Sequence, residues 1–452
     1  MPLELPEELL ALIVDFVTEN KDKRTLSRLA LVSRALLTHV RQHRSAEIKI
    51  IITAGACTCL TRRYVRRLRD IIVADPSFAA CITSIHLVEQ SSRRMGGGSF
   101  EWLTRSDADG LADILQSLVS LRRLLVINES DDFVTASTST DWCLIDVAVQ
   151  RALLNLFSLP SLETLVLKRI TNMELTPLIG RSNLKELTLR SVSLSDRDLE
   201  RMQAGGPVAS LSVGERASKG RLESIEFAGC GITLQKLLTG LARDDAQLDA
   251  SYLRRLHVHS FLYDSAAESA IQELLLKCAV HLERLSFSVS LRLLPERPKG
   301  ELRALDCLRL HQLPLVQTLD VEFQIPWHFL PIPQPYTDAI VTALRNLSHE
   351  SLQVLRLTFT LPPTLFATNP LERNTSKGIL EVDLWEQMDS MARECLAGME
   401  SLEIVVLGKR RSPDLANLVN NLYSRMPNLS SKNILHVNWY VDLAVILFDF
   451  VE

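Results

Sequence analysis

His257 and His259 lie in a stretch where apolar and polar residues alternate, so both would project from the same side of a strand, a geometry that can start a metal site. A metal needs three or more ligands, and the sequence does not identify the rest, so no metal is assigned. Cys57-x-Cys59 has the wrong inner spacing for a zinc knuckle and no matching second pair. Gly96-Gly97-Gly98 lacks the strand before it and the helix after it that a phosphate-binding loop requires, and reads as a turn. The G-x-x-x-x-G-K-[ST], G-x-S-x-G and H-E-x-x-H motifs are all missing. The expectation is a non-catalytic protein without a cofactor. Arg62, Arg63, Arg66, Arg67 and Arg69 form the densest basic cluster and would suit phosphates. With 54 Asp+Glu against 50 Lys+Arg and a net charge of -4, the chain is no basic nucleic-acid binder. The cluster therefore reads as a connecting helix whose Tyr64, Val65, Leu68, Ile71 and Ile72 pack inward while its arginines face water or acidic partners.

The elements that must carry such residues follow from patterning. At 452 residues and 46% hydrophobic, the chain can bury a large core. Glu4, Glu7, Glu8 and Asp15 interrupt the N-terminal leucines, so this stretch is not a secretory signal, and the apolar tail 444–448 is bounded by Asp442 and Asp449. No apolar run reaches the roughly 18 to 20 residues that span a bilayer. The expected location is intracellular, cytoplasmic or nuclear, with no membrane partner. Cys81, Cys143, Cys230, Cys278, Cys307 and Cys395 are scattered singly, which fits reduced, buried thiols rather than a disulfide framework.

From about residue 80 one frame recurs: an apolar residue, two variable positions, a second apolar residue, one variable position, and a third. It reads Ile82/Ile85/Leu87, Leu121/Leu124/Val126, Leu162/Leu165/Leu167, Leu184/Leu187/Leu189, Leu222/Ile225/Phe227, Leu253/Leu256/Val258 and Leu282/Leu285/Phe287. It continues as Val316/Leu319/Val321, Leu352/Leu355/Leu357, Leu402/Val405/Leu407 and Ile434/Val437/Trp439. On a strand the second and third positions point the same way, and the first sits where the chain enters it. Segments with helical spacing precede most copies, as at 112–118, 271–277 and 341–347. This is the leucine-rich-repeat signature, and its helix-strand units must stack to bury their faces. Intervals of roughly 22 to 50 residues exceed the regular 20 to 29, so long inserted loops are expected at Asp131–Thr140, Gly205–Gly220 and Pro362–Gly378. The competing reading is an ordinary α/β domain. Leu305/Leu308/Leu310 also fits the frame but lies too close to Val316 for both to be strands.

The first residues differ in kind. Leu5 to Val17 starts with a proline suited to a first turn, carries acidic residues at the helix N-terminus, and sets Leu9, Ile13 and Val17 or Phe16 along one face. After a polar break, Leu26, Leu29, Val32, Leu36 and Leu37 form the apolar face of a second helix. A hairpin this small has more apolar surface than it can cover internally, so part of it must face another surface.

Leu5-Pro6-Glu7-Glu8-Leu9, Ile13, Val17, Leu26, Leu29 and Leu31-Val32-Ser33-Arg34 resemble an F-box of the type that heads many fungal proteins with divergent leucine-rich repeats. The resemblance implies a Skp-type adaptor bound through Leu5, Pro6, Leu9, Ile13, Val17, Leu26, Leu29, Val32 and Leu36, and through it a cullin-RING ubiquitin ligase. The repeats would hold a protein substrate. The family usually has a tryptophan near the end of the second helix, where this chain has Leu36, a smaller apolar contact. A bare solenoid cap, or a repeat scaffold outside the ubiquitin machinery, remains the alternative.

The expected fold is therefore α/β, with a helical module over 1–45, a linker strand and helix over 46–80, and an irregular repeat solenoid over 81–452. Alternation places Lys168, Glu186, Arg190, Glu226, Arg255, His257, Arg284, Glu322 and Arg356 on the open side of its sheet, with neighbours such as Thr164, Ser286, Ser288 and Asp320. This mixed-charge surface suits a protein substrate rather than nucleic acid.

Overall fold

The computed structural model describes residues 6–19, 22–33, 35–37, 39–40, 46–54, 58–91, 110–130, 139–173, 183–195, 220–228, 237, 241, 248–259, 265–290, 312–324, 341, 345, 351–360, 383–394, 398–408 and 415–441. It divides into two compact units, the first built on 1–220 and 246–248, the second on 221–245 and 249–452. The protein is mixed α/β, with several helices and, among the described residues, twelve main strands that run parallel.

In the first unit helices α1 (Glu7–Glu19) and α2 (Lys23–Val32) precede strand β1 (Glu47–Ala54). Helices α3 (Thr58–Ala74) and α4 (Pro76–Cys81) lead to β2 (Ser84–Ser91), and α5 (Leu111–Ser117) leads to β3 (Arg123–Ser130). Helix α6 (Val147–Phe157) leads to β4 (Thr164–Lys168), and β5 (Glu186–Arg190) follows. Each strand pairs in parallel with the strand before and after it in sequence, from β1 through β5. A doubly wound α/β sheet would break that order at its switch point.

The second unit repeats the rule over β6 (Ser224–Ala228), β7 (Arg255–His259), β8 (Arg284–Ser290), β9 (Thr318–Gln324), β10 (Val354–Thr360), β11 (Ser401–Gly408) and β12 (Leu435–Val441). All neighbours are parallel and consecutive. Helix α7 (Ser265–Cys278) precedes β8, α8 (Leu384–Glu394) precedes β11, and α9 (Leu415–Arg425) with α10 (Pro427–Ser431) precedes β12.

The recurring frame explains these elements. The second and third apolar positions are buried on one side of each sheet, as at Leu124 and Val126, Leu165 and Leu167, Leu256 and Val258, or Leu355 and Leu357. The first position, two residues ahead of the strand, is buried as well, as at Leu121, Leu162, Leu253 and Leu352. Helical residues close the core: Ile114, Leu115, Leu153 and Phe157 in the first unit, Ile271, Leu275 and Trp385 in the second. Phe323 stacks on Phe359 with ring centroids 5.4 Å apart, and Trp385 meets Phe359 edge-to-face at 5.6 Å. Aromatic pairs of this kind add about 0.5–1.5 kcal/mol beyond area burial.

One backbone device recurs at the start of the strands. The carbonyl two residues into one frame accepts two successive N–H groups from the next: Ala46 from Thr83 and Ser84, Thr83 from Arg122 and Arg123, Arg122 from Glu163 and Thr164, and Glu163 from Lys185 and Glu186. In the second unit Glu223 accepts from Arg254 and Arg255, Arg254 from Glu283 and Arg284, Glu283 from Gln317 and Thr318, Gln317 from Gln353 and Val354, and Gln353 from Glu400 and Ser401. The turns leaving β4 and β5 also match, with Arg169 and Ser191, each seven residues after its first leucine, left-handed at φ 57 and 52. The sequence has Gly229 at the corresponding place after β6, a residue type that adopts this conformation without strain.

The same device corrects one alignment. Ser401 pairs with Val354 and Leu402 with Leu355, so the tenth copy reads Met399/Leu402/Ile404, not Leu402/Val405/Leu407. Met399, Leu402 and Ile404 are buried accordingly. The run Ile404-Val405-Val406-Leu407 fits either phase, and only the register chooses. The last copy shifts likewise, with Leu435 opposite Leu402 and Val437 opposite Ile404. The long loops are outside the described residues apart from their ends, as are 305–310, 96–98 and most of 341–347.

Candidate functional site

The N-terminal module presents the first candidate surface. Pro6 opens α1 with its carbonyl accepting from the Leu9 and Leu10 N–H groups. Asp22 caps α2, accepting from the backbone N–H of Arg24 and Thr25 and from the Thr25 hydroxyl. Bonded first by that hydroxyl and then by the Thr25 N–H, the Asp22 carboxyl titrates below its usual range. Ser33 then accepts from the Leu36 N–H at 3.1 Å and starts a further helical segment at 35–37.

Two stripes on α1 divide its labour. Val14 is fully buried with Leu26, Leu36 and Val40, and Leu10, Val17, Leu29 and Ala30 pack against that cluster. Leu9, Leu12, Ile13 and Phe16, one position round the helix, remain exposed, Phe16 by 67%. At the end of α2, Leu31 and Val32 are 87% and 72% exposed. Leu26 and Leu36, expected to meet a partner, are 4% and 7% exposed and hold the helices together. Val17 and Leu29 are half-buried in the same core. Leu9, Ile13, Val32 and Pro6 are at the surface, and Leu5 is outside the described residues. Leu12, Phe16 and Leu31 extend this surface beyond the residues expected from sequence. Helical spacing reveals the stripes but not which of two adjacent ones turns inward.

The open side of the sheet is the second candidate, in two parts. In the first unit Lys168 and Arg190 stand in register on β4 and β5, and the Thr164 hydroxyl donates to Glu186 at 3.3 Å. Farther along, His86 lies 3.6 Å from Glu47. Burial lowers the His86 pKa most, and Arg123 and Lys49 lower it further, against the pull of Glu47.

In the second unit one register row crosses every strand: Glu226, His257, Ser286, Asp320, Arg356, Glu403 and His436. Within it, His257 Nε2 is 3.3 Å from Ser286 Oγ. Arg284, on the row below, donates to Asp320 Oδ2 from Nη2 at 2.7 Å and from Nε at 3.1 Å. Arg356 Nη1 stands 3.8 Å from Asp320 Oδ1, and Arg356 Nε donates to Glu403 at 2.6 Å. The result is an alternating chain of four charges over β8 to β11, centred on a carboxylate whose side chain is only 12% exposed.

The expected substrate residues Lys168, Glu186, Arg190, Glu226, His257, Glu322 and Arg356 are half-buried, and Arg255 and Arg284 are exposed. Thr164, Ser286, Ser288 and Asp320 lie on the open side by alternation but are buried, so the open side is not uniformly accessible. Asp320 is enclosed by its two arginines. Among the described residues no three His, Cys, Asp or Glu side chains are grouped to hold a metal ion, and no helix is long and apolar enough to cross a membrane. Cys278 is buried, whereas Cys143 is exposed, contrary to the expectation of buried thiols throughout.

On α3, Val65, Leu68 and Ile72 are buried while Tyr64 and Ile71 stay exposed beside Arg63 and Arg67, so the inward stripe is narrower than its composition suggests. No family model matches the chain, and no curated protein matches it either.

Proposed function

We propose that this protein is the non-catalytic substrate receptor of an SCF-type cullin-RING ubiquitin ligase. Its F-box-like module docks on a Skp-type adaptor, and its leucine-rich-repeat-type strands hold a protein substrate. The observation that carries the reading is the uncovered apolar surface of Leu9, Leu12, Ile13, Phe16, Leu31 and Val32 on a two-helix module. Exposed apolar clusters of this kind mark interaction sites. Consecutive parallel strands, one per repeat of the leucine frame, support the second half of the reading, as does the mixed charge of the open side.

The test is a pull-down with purified Skp-type adaptor, using the full chain, a chain lacking residues 1–45, and a Leu9→Asp/Ile13→Asp/Val32→Asp variant. Stoichiometric capture by the full chain alone is the expected result. Capture unaffected by both changes refutes it.

A second reading, a repeat scaffold with a degenerate F-box and no ligase role, has one observation in its favour. Leu36, at the place where the family has a tryptophan, is buried in the module and offers no anchor to a partner. Absence of adaptor binding at micromolar concentration, with a protein partner still captured, selects that reading.

A further inference from the structure

Helix α3 stands at one end of the helix layer of the first unit. It packs on β1 and on α5, and α5 packs in turn on α6. Strand β1 ends the strand order, so among the described residues no further strand lies beyond it. In a stack of such units an end helix has one flank turned to its neighbour and the other turned outward. The buried stripe of Val65, Leu68 and Ile72 runs between the two flanks. Arg69, on one side of that stripe, lies along Gly110 at the head of α5 and marks the covered flank. Tyr64, Arg67 and Ile71, spaced three and four residues apart, line the other side, with Arg63 one turn before Arg67. An interior helix would meet its next neighbour through this stripe; here Tyr64 is 46% and Ile71 40% exposed.

The charge on this helix is as one-sided as its exposure. It carries five arginines and a single acid, Asp70, which lies 3.5 Å from Arg69. Arg62 and Arg66 are engaged within the chain. Arg63 and Arg67 are exposed, and among the described residues no hydrogen bond or ion pair reaches either of them. Like charges four residues apart on a helix repel, so these two cost stability where they stand. The outward flank therefore combines an exposed aromatic ring and an isoleucine with two unneutralised guanidinia. Tyrosine and arginine are the residue types that most often anchor protein interfaces.

We infer that the outward flank of α3 takes an acidic amphipathic helix of a partner protein, which extends the helix layer by one member. The apolar stripe of that helix covers Tyr64 and Ile71, and its carboxylates meet Arg63 and Arg67. The spacing from Tyr64 to Ile71 is the ridge that one helix offers to another, and it runs for about 10 Å, or two turns. Each guanidinium fork can take a carboxylate with two donors. A phosphate backbone would satisfy the arginines but leave the isoleucine bare, so a helix with both acidic and apolar positions fits the flank better than nucleic acid. The inference uses no residue of α1, α2 or the open sheet side, and it stands whether or not the receptor reading does.

The test measures fluorescence anisotropy of a labelled synthetic peptide of about five helical turns, leucine along one face and glutamate along its flanks, titrated with the full-length protein. The same peptide with glutamine for glutamate, a DNA dodecamer, and phosphatidylcholine vesicles holding about one-fifth phosphatidylserine run beside it. The glutamate peptide should bind, weaken with added salt, and lose about tenfold in affinity with Arg63→Glu/Arg67→Glu. Tyr64→Ser/Ile71→Ser should also cost about tenfold. All four side chains are exposed, so both variants should keep the urea midpoint of the unaltered chain. No binding at about 100 μM, equal binding of the glutamine peptide, or full binding by either variant overturns the inference. DNA or vesicles bound more tightly than the peptide, and lost in the same variants, overturn it in favour of a polyanion or a membrane. Self-association that sedimentation detects without peptide, and that the variants abolish, overturns it in favour of a second copy of this chain. Adaptor capture is measured on the same samples, so its outcome is scored separately from that of the peptide.

Discussion

Deleting the Asp320 carboxylate should cost more than deleting either arginine it holds. The carboxylate is 12% exposed, Arg284 48% and Arg356 36%. Fully exposed pairs contribute about 0.2–1 kcal/mol, and breaking a fully buried pair costs about 3–5 kcal/mol. This site lies between them, with one short two-donor contact and one at 3.8 Å. Asp320→Ala should therefore destabilise by about 2 kcal/mol, because two guanidinia then face each other across an empty site. Arg284→Ala should cost about 1 kcal/mol, since Asp320 retains Arg356 and the exposed arginine loses less on unfolding. The double variant should show a coupling of about 1 kcal/mol. Urea denaturation followed by circular dichroism, with a double-mutant cycle, measures all three. An Asp320→Ala cost smaller than that of Arg284→Ala would refute the idea that the carboxylate is the centre of the chain.

Three further outcomes follow from named groups. Because the folded pKa of His86 is lowered below 6.5, the unfolded chain binds its proton first as pH falls, so stability should be full above about pH 6.5 and decline below it. His86→Gln should flatten that slope in urea midpoints taken between pH 7.5 and 5. Burial pushes the Cys278 thiol up to about 12, so iodoacetamide at pH 8 should label exposed Cys143 and spare Cys278 until denaturant is added, as read by peptide mass spectrometry. Gly110 has φ +86, and a Cβ there would run into the Arg69 side chain. Gly110→Ala should cost about 1–3 kcal/mol in the same denaturation assay, and a neutral result would mean that the turn re-forms with ordinary dihedrals.

Much of the framework was legible because an apolar pair two apart can bury only one way on a strand. Leu187 and Leu189 have the polar neighbours Glu186, Thr188 and Arg190, which remove any ambiguity. Where the neighbours are apolar too, as at Val405 and Val406, the pattern fits two phases, and a shift by an odd number of residues exchanges the two sides. That slip hid Glu403, which the mistaken phase turns toward the core and the real register brings to Arg356. The charged chain itself spans residues 284 to 403 and exists only through register, so no local motif announces it. Asp146 caps helix α6 by accepting from the Ala148 and Val149 N–H groups, a start signal that the sequence contains. In the N-terminal module both stripes of α1 are apolar, and packing alone distinguishes core from surface.

The doubled acceptor at the head of most strands has a consequence for how this chain tolerates change. Where it occurs, a copy is aligned to the next by one carbonyl and the strand behind it, and nothing in that alignment depends on how many residues lie between. The sequence separating Arg284 from Thr318 is 34 residues and that separating Thr164 from Glu186 only 22, yet both meet their neighbours through the same pair of N–H donors. Connecting segments can therefore grow or shrink over generations without moving a single strand out of line. Proline at one of the donors, at Arg123 or Arg284, is a different matter, since it removes an N–H the alignment uses. Length is where this protein can vary freely, and the two residues that open each strand are where it cannot.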